Sequence, residues 1–144
     1  MALSIPRTVS DIMTREVYTL NENENLTLLL ETMELLRFRH TPVTDGENLV
    51  GVLTERDLLR VSASSLLPSA RQQDTLLKHN FKVRDVMSRD VVTVRADTSI
   101  RDAAQLLFSR RVGCLPVVDE HNKLLGIVTE NDLAKLAVEL LPVA

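Results

Sequence analysis

The chain repeats itself, and that repeat restricts its fold more than any single residue does. Asp11-Ile-Met-Thr14 recurs 74 positions later as Asp85-Val-Met-Ser88. At the same offset Val17 meets Val91, Thr19 meets Thr93, Arg37 meets Arg111, Pro42-Val43 meets Pro116-Val117 and Asp45 meets Asp119. One extra residue near Lys123 moves the offset to 75, and Leu49-Val-Gly-Val-Leu-Thr-Glu-Arg-Asp-Leu58 then lies on Leu124-Leu-Gly-Ile-Val-Thr-Glu-Asn-Asp-Leu133. An insertion is best tolerated in a hairpin turn, and Asp45-Gly46-Glu47-Asn48 has turn composition. Two copies of one unit therefore fill most of the 144 residues.

Each copy reads as strand, helix, strand, strand, helix, an α/β (α+β) pattern. In the first, Val17–Leu20 is a short apolar strand. Asn25 can cap a helix whose Leu26, Leu29, Leu30, Met33 and Leu36 share one face. Thr41–Thr44 and Leu49–Leu53 form a hairpin, and Arg56–Leu67 returns as a helix. In the second copy Val91–Val94 is the strand and Ser99-Ile-Arg-Asp102 opens a helix as a capping box. Ile100, Ala103, Ala104 and Leu107 supply its inner face. Cys114–Val118 and Leu124–Val128 make the hairpin, and Asn131–Leu141 the last helix. The repeats occupy residues 9–67 and 83–144, and residues 68–82, punctuated by Pro68, are a connector with room for a short helix. A copy of about 60 residues buries little alone, so the two are expected to pack together with a central cleft between them. A cleft between repeats suits a small ligand.

Composition excludes several roles. With 44% hydrophobic residues the chain can bury a core, and a net charge of −3 with 26% charged residues gives no field that favours nucleic acid or membrane. Only 3% of residues are aromatic, with no Trp, too few for a base-stacking platform. Met1–Ser10 has no apolar stretch long enough for a signal peptide, and no run approaches the roughly 20 apolar residues of a membrane helix. The lone Cys114 has no disulfide partner within the chain, which suits a reducing cytoplasm. Catalytic signatures are missing: there is no G-x-S-x-G, P-loop or G-x-G-x-x-G, and four glycines leave little for a phosphate-cradling loop. Without C-x-x-C or clustered His, no metal site is expected; His79 and His121 stand apart, and Glu22, Glu24, Glu31 and Glu34 read as a solvated face. The expectation is a cytoplasmic protein that is not an enzyme.

Two units opening with D-[IV]-M-[TS] and closing on G-[VI]-[LV]-T-E-x-D-L resemble CBS (cystathionine beta-synthase) domains, and their pairing resembles a Bateman module. The resemblance covers roughly Val9–Ala144. It implies two β-α-β-β-α repeats packed sheet to sheet with pseudo-twofold symmetry, and a regulatory module that binds AMP, ADP or ATP and signals to a partner enzyme or transporter. S-adenosylmethionine or a cyclic dinucleotide is a further implied ligand. Homodimerisation through the helices is implied as well. The alternative is a ligand-independent interaction or dimerisation module.

Within this resemblance, Thr54-Glu-Arg-Asp57 and Thr129-Glu-Asn-Asp132 stand at strand-to-helix junctions. Asp57 or Asp132 would accept two hydrogen bonds from a ribose diol, charge-assisted bonds being the stronger kind. Thr54 or Thr129, with the helix amides, would face a phosphate. T-x-x-D is also a capping box, and the two uses compete for the Asp side chain. Arg39-His40 match the positions where adenylate-sensing relatives, such as the regulatory subunit of AMP-activated protein kinase, place basic residues on phosphate. They also read as a basic helix end. The second copy has Gly113 and Cys114 there, so its phosphate grip would fall to Arg110, Arg111 or the other copy, or be weaker. The pocket of Asp57, Thr54, Arg39 and His40 is accordingly expected to be the better phosphate site. Arg56, replaced by Asn131 in the second copy, could reach a phosphate or be a solvated helix-start residue. Thr19 and Thr93 could contact adenine or be ordinary strand threonines. Val17, Val43, Val91 and Val117 would sandwich the base or simply belong to the core. Cys114 reads as a buried structural thiol.

Overall fold

Hairpins form where short polar stretches interrupt paired apolar runs. The computed structural model describes residues 5–25, 40–63 and 81–144. They form α1 (Val9–Ile12), β1 (Leu20–Asn21), β2 (His40–Asp45), β3 (Asn48–Thr54), α2 (Glu55–Ala63), α3 (Val83–Val86), α4 (Ile100–Arg110), β4 (Cys114–Val118), β5 (Leu124–Thr129) and α5 (Glu130–Leu140). The mixed α/β class expected from the repeat is the one observed. β2 and β3 pair antiparallel, and Gly46 in their turn takes φ 61°, a region glycine enters without a Cβ clash. β4 and β5 pair in the same way. Their turn carries the extra residue: Asn122 sits at φ 65°, and Asp119 accepts the N–H groups of His121 at 2.8 Å and Lys123 at 2.9 Å. The Lys123 amide, with that of His121, holds the Asp119 carboxyl below its usual range.

Two expected strands are shorter than the sequence implies. Of Val17–Leu20 only Leu20 pairs, as the first residue of β1, parallel to β2. Of Val91–Val94 only Val94 bridges, to Val117. The neighbouring Tyr18, Thr19 and Thr93 are exposed, so extending the ladder would bury little more. One sheet thus has three strands in the order β1-β2-β3, the other two, β4-β5, with Val94 beside them.

Helix α4 begins as expected, with the Ser99 hydroxyl accepting the Asp102 N–H at 3.0 Å. Ala103 and Leu107 are buried, while Ile100 and Ala104 are half-buried. Arg111 ends the helix in the left-handed conformation, φ 54°, its N–H on the Leu107 carbonyl. The predicted first-copy helix over Leu26–Leu36, Arg37, Arg39 and most of the connector with His79 lie outside the described residues.

The compact units do not follow the repeat. One unit is Tyr18–Val91; the other joins Met1–Val17 to Val92–Ala144. The opening motif of each copy is therefore built into the unit that holds the other copy's hairpin. Thr14 exchanges two backbone hydrogen bonds with Ile127, at 2.9 and 3.0 Å, and Ser88 does the same with Val52, at 2.9 and 3.0 Å. Apolar burial follows the same division. Val83, Val86 and Met87 share one core with Leu20, Val43 and Leu53, while Val9 and Met13 share the other with Val94, Ala103, Leu107, Leu115, Val117 and Val128.

Such close approach requires glycine in the receiving strand. A Cβ on Gly126 would lie 2.6 Å from the Thr14 carbonyl oxygen, and one on Gly51 2.8 Å from that of Ser88 and 2.7 Å from the Met87 sulfur. A backbone carbonyl cannot swing aside as a flexible side chain can. Gly51→Ala and Gly126→Ala are each expected to destabilise the chain by about 1–3 kcal/mol through overpacking, read as a lower urea midpoint. An unchanged midpoint for both would refute the tight docking.

Candidate functional site

At the β3–α2 junction one carboxylate gathers the local hydrogen-bond donors. Asp57 is the third residue of α2 and only 1% exposed. Its Oδ2 accepts the Thr54 N–H at 2.9 Å and the Thr54 hydroxyl at 3.1 Å, and the Asp57 N–H donates back to Thr54 Oγ1 at 3.2 Å. That is the reciprocal capping box, which satisfies N–H groups that the first helical turn leaves unpaired. The other oxygen, Oδ1, accepts the Ser88 hydroxyl at 2.7 Å and lies 3.5 Å from Arg60 Nη2.

The β5–α5 junction repeats the cap but differs on the second oxygen. Asp132 Oδ2 accepts the Thr129 N–H at 2.9 Å and the Thr129 hydroxyl at 3.3 Å. Its Oδ1 meets the Thr14 hydroxyl only at 3.5 Å, and Asp132 is half-buried. Both aspartates thus turn back onto their own helix starts, as the capping reading requires. Asp11 and Asp85, in the opening motifs, do likewise: Asp11 accepts the Arg7 and Thr8 N–H groups at 2.9 and 3.0 Å, and Asp85 that of Lys82 at 3.0 Å. The Arg7 amide foremost, then that of Thr8, holds the Asp11 carboxyl below its usual range.

The remaining sequence-derived candidates fall around these junctions. His40 opens β2 half-buried and pairs in register with Thr54, so the backbone sets it beside the first cap. Cys114 pairs with Thr129 in the equivalent place. Arg56 and Asn131 are exposed, each the second residue of its helix. Thr19 and Thr93 are exposed immediately before Leu20 and Val94. Arg110 and Arg111 are exposed at the end of α4. Val43 and Val117 are wholly buried in the two cores, whereas Val17 and Val91 are half-buried. Ser88 and Thr14 are the site residues that sequence reasoning passed over. Their one signal was a hydroxyl conserved between copies after the repeated Met.

Among the described residues no group of three His, Cys, Asp or Glu converges. Likewise no described helix is long and apolar enough to cross a membrane. Each junction instead offers a carboxylate, a threonine hydroxyl and the first amides of a helix, donors and acceptors that a hydroxylated, anionic small molecule could use.

The CBS domain model matches residues 9–64 and 83–139. The chain belongs to the CBS domain family. A CBS domain-containing protein of Dictyostelium discoideum is 33% identical over 135 residues, covering 92% of each chain. The crystal structure of CBSX2 in complex with AMP superposes with a TM-score of 0.77 at 29% identity, covering 92% of this chain and 97% of that one. The cytosolic domain of the Mg2+ channel MgtE in complex with ATP gives a TM-score of 0.69 at 26% identity, covering 90% of this chain and 48% of that one. Other relatives are longer: the chain spans 46%, 40% and 22% of three Methanocaldococcus jannaschii proteins, the last an inosine-5′-monophosphate dehydrogenase.

Burial pushes the Cys114 thiol up to about 12, removing it from redox chemistry near neutrality. At pH 8 a water-soluble disulfide reagent is expected to label the folded CBS protein roughly a hundredfold more slowly than the unfolded chain. Equal rates would contradict the burial of this thiol.

Proposed function

We propose that this CBS domain protein is a regulatory module that binds an adenine nucleotide (AMP, ADP or ATP) and carries no catalytic activity of its own. The observation that carries this reading is the pair of T-x-x-D junctions on a chain that aligns along nearly its whole length with a CBS protein bound to AMP. In each copy the aspartate, Asp57 or Asp132, accepts the ribose hydroxyls. Thr54 or Thr129 and the adjoining helix amides meet the phosphate, which the positive end of a helix favours. Arg39 and Arg56 add charge and His40 a ring N–H in the first copy, Asn131 adds a polar group in the second, and Thr19 and Thr93 approach the adenine. The bound state is then read by a partner enzyme or transporter. Exposed Phe108 (82%) and Val138 (79%) on α4 and α5 support self-association as a homodimer.

A second reading, a ligand-independent interaction module, is favoured by the caps themselves, since both aspartates already serve their helices. Thermal unfolding with millimolar AMP, ADP, ATP and S-adenosylmethionine separates the two. A ligand that binds only the folded chain stabilises it by about 2.7 kcal/mol at a hundred times its Kd, enough for a shift of several degrees. No shift with any of the four leaves the interaction module.

A further inference from the structure

The two T-x-x-D caps are equivalent in sequence but not in how their free oxygen is held. In the second copy Asp132 Oδ1 has, among the described residues, the Thr14 hydroxyl at the 3.5 Å limit of a hydrogen bond, and the residue is half-buried. In the first copy Asp57 Oδ1 accepts the Ser88 hydroxyl at 2.7 Å, the short distance of a strong hydroxyl–carboxylate bond, and Arg60 lies 3.5 Å away. In the free protein the Ser88 backbone is held in place, its N–H and C=O both paired with Val52 and Met87 beside it buried against Gly51. A hydroxyl on a carboxylate is the same chemistry as a ribose hydroxyl on a carboxylate.

We propose that Ser88 is a built-in competitor for the sugar: it occupies the oxygen of Asp57 that a vicinal diol would need, and so holds the first-copy site shut while the second-copy site stays open. Resting on the nucleotide reading above, this makes the two sites unequal. The second fills first, and the first fills only when the Ser88 hydroxyl is displaced. That displacement loosens residues 83–91, the stretch that opens the second repeat, so occupancy of the first site is transmitted along the chain by one side-chain bond. Among the described residues nothing comparable acts at Asp132, where the longer Thr14 contact leaves the oxygen readier to exchange partners.

The test is ATP binding by calorimetry on the full chain, with the sites separated by an Asp132→Asn background for the first and an Asp57→Asn background for the second. Ser88→Ala is expected to lower the melting temperature of the free protein yet tighten ATP at the first site by roughly tenfold, the scale of a hydrogen bond to a charged group. Ser88→Thr, which keeps the hydroxyl, is expected to restore the weaker affinity. Thr14→Ala is expected to change the second site by less than about twofold, in keeping with its long bond. In the unmodified chain, amide exchange at Ser88 is expected to quicken when ATP is added, a reading that does not depend on any variant folding. A lower melting temperature for Ser88→Ala with unchanged or weaker ATP affinity overturns the latch and leaves a plain structural bond. Exchange at Ser88 that ATP leaves unaltered or slows also overturns it. Wild type and Ser88→Ala that both bind no nucleotide overturn the nucleotide reading and the latch together, whereas ATP binding that Ser88→Ala leaves unchanged overturns the latch alone.

Discussion

Everything in this chain depends on two backbone contacts that only glycine permits. At Gly51 and Gly126 the receiving strand has no side chain, and the Met-Ser or Met-Thr step of the other repeat lies directly against it. Paired amide hydrogen bonds lock each step in register, and the methionine fills the adjoining core. Each compact unit therefore takes in the opening motif of the other repeat, and neither repeat carries all of its own core. Because the step is pinned so closely, the hydroxyl after the methionine is delivered to the start of the next helix, within reach of the capping aspartate.

That aspartate presents two oxygens. One oxygen caps the helix, and the same arrangement at Asp11, Asp57, Asp85 and Asp132 shows how readily an Asp three residues into a turn satisfies the unpaired N–H groups there. The second oxygen is what distinguishes a structural cap from a binding group. At Asp11 and Asp85 the residue is exposed and belongs to a one-turn helix. At Asp57 and Asp132 the cap sits where a strand of the sheet ends, beside the first residue of the neighbouring strand, His40 or Cys114. The two uses that competed on paper thus need not exclude one another, since each takes a different oxygen.

Much of this was legible beforehand. Duplication, hairpins and capping residues are local signals: apolar alternation, turn residues and a Thr-x-x-Asp spacing act over a few positions and leave their mark in order. Ser99 capping α4 and the hairpin turns at Gly46 and Asn122 match the reading from residues alone. The strands over Val17–Leu20 and Val91–Val94 were overestimated, because apolar β-branched residues mark burial potential but do not say how long a neighbouring edge runs. CBS family membership, too, could be read from motif order and duplication.

What the sequence by itself determined is the architecture of each copy and the identity of the polar groups at its junctions, because those follow from periodicity and short-range hydrogen bonding. What only the tertiary structure decided is the company those groups keep: Ser88 on Asp57 across 31 residues at 2.7 Å, and Thr14 on Asp132 across 118 residues at 3.5 Å. No local pattern encodes that difference. It arises because hydrogen-bond strength depends on a few tenths of an ångström, and such distances are set by how whole elements pack rather than by which residues follow one another.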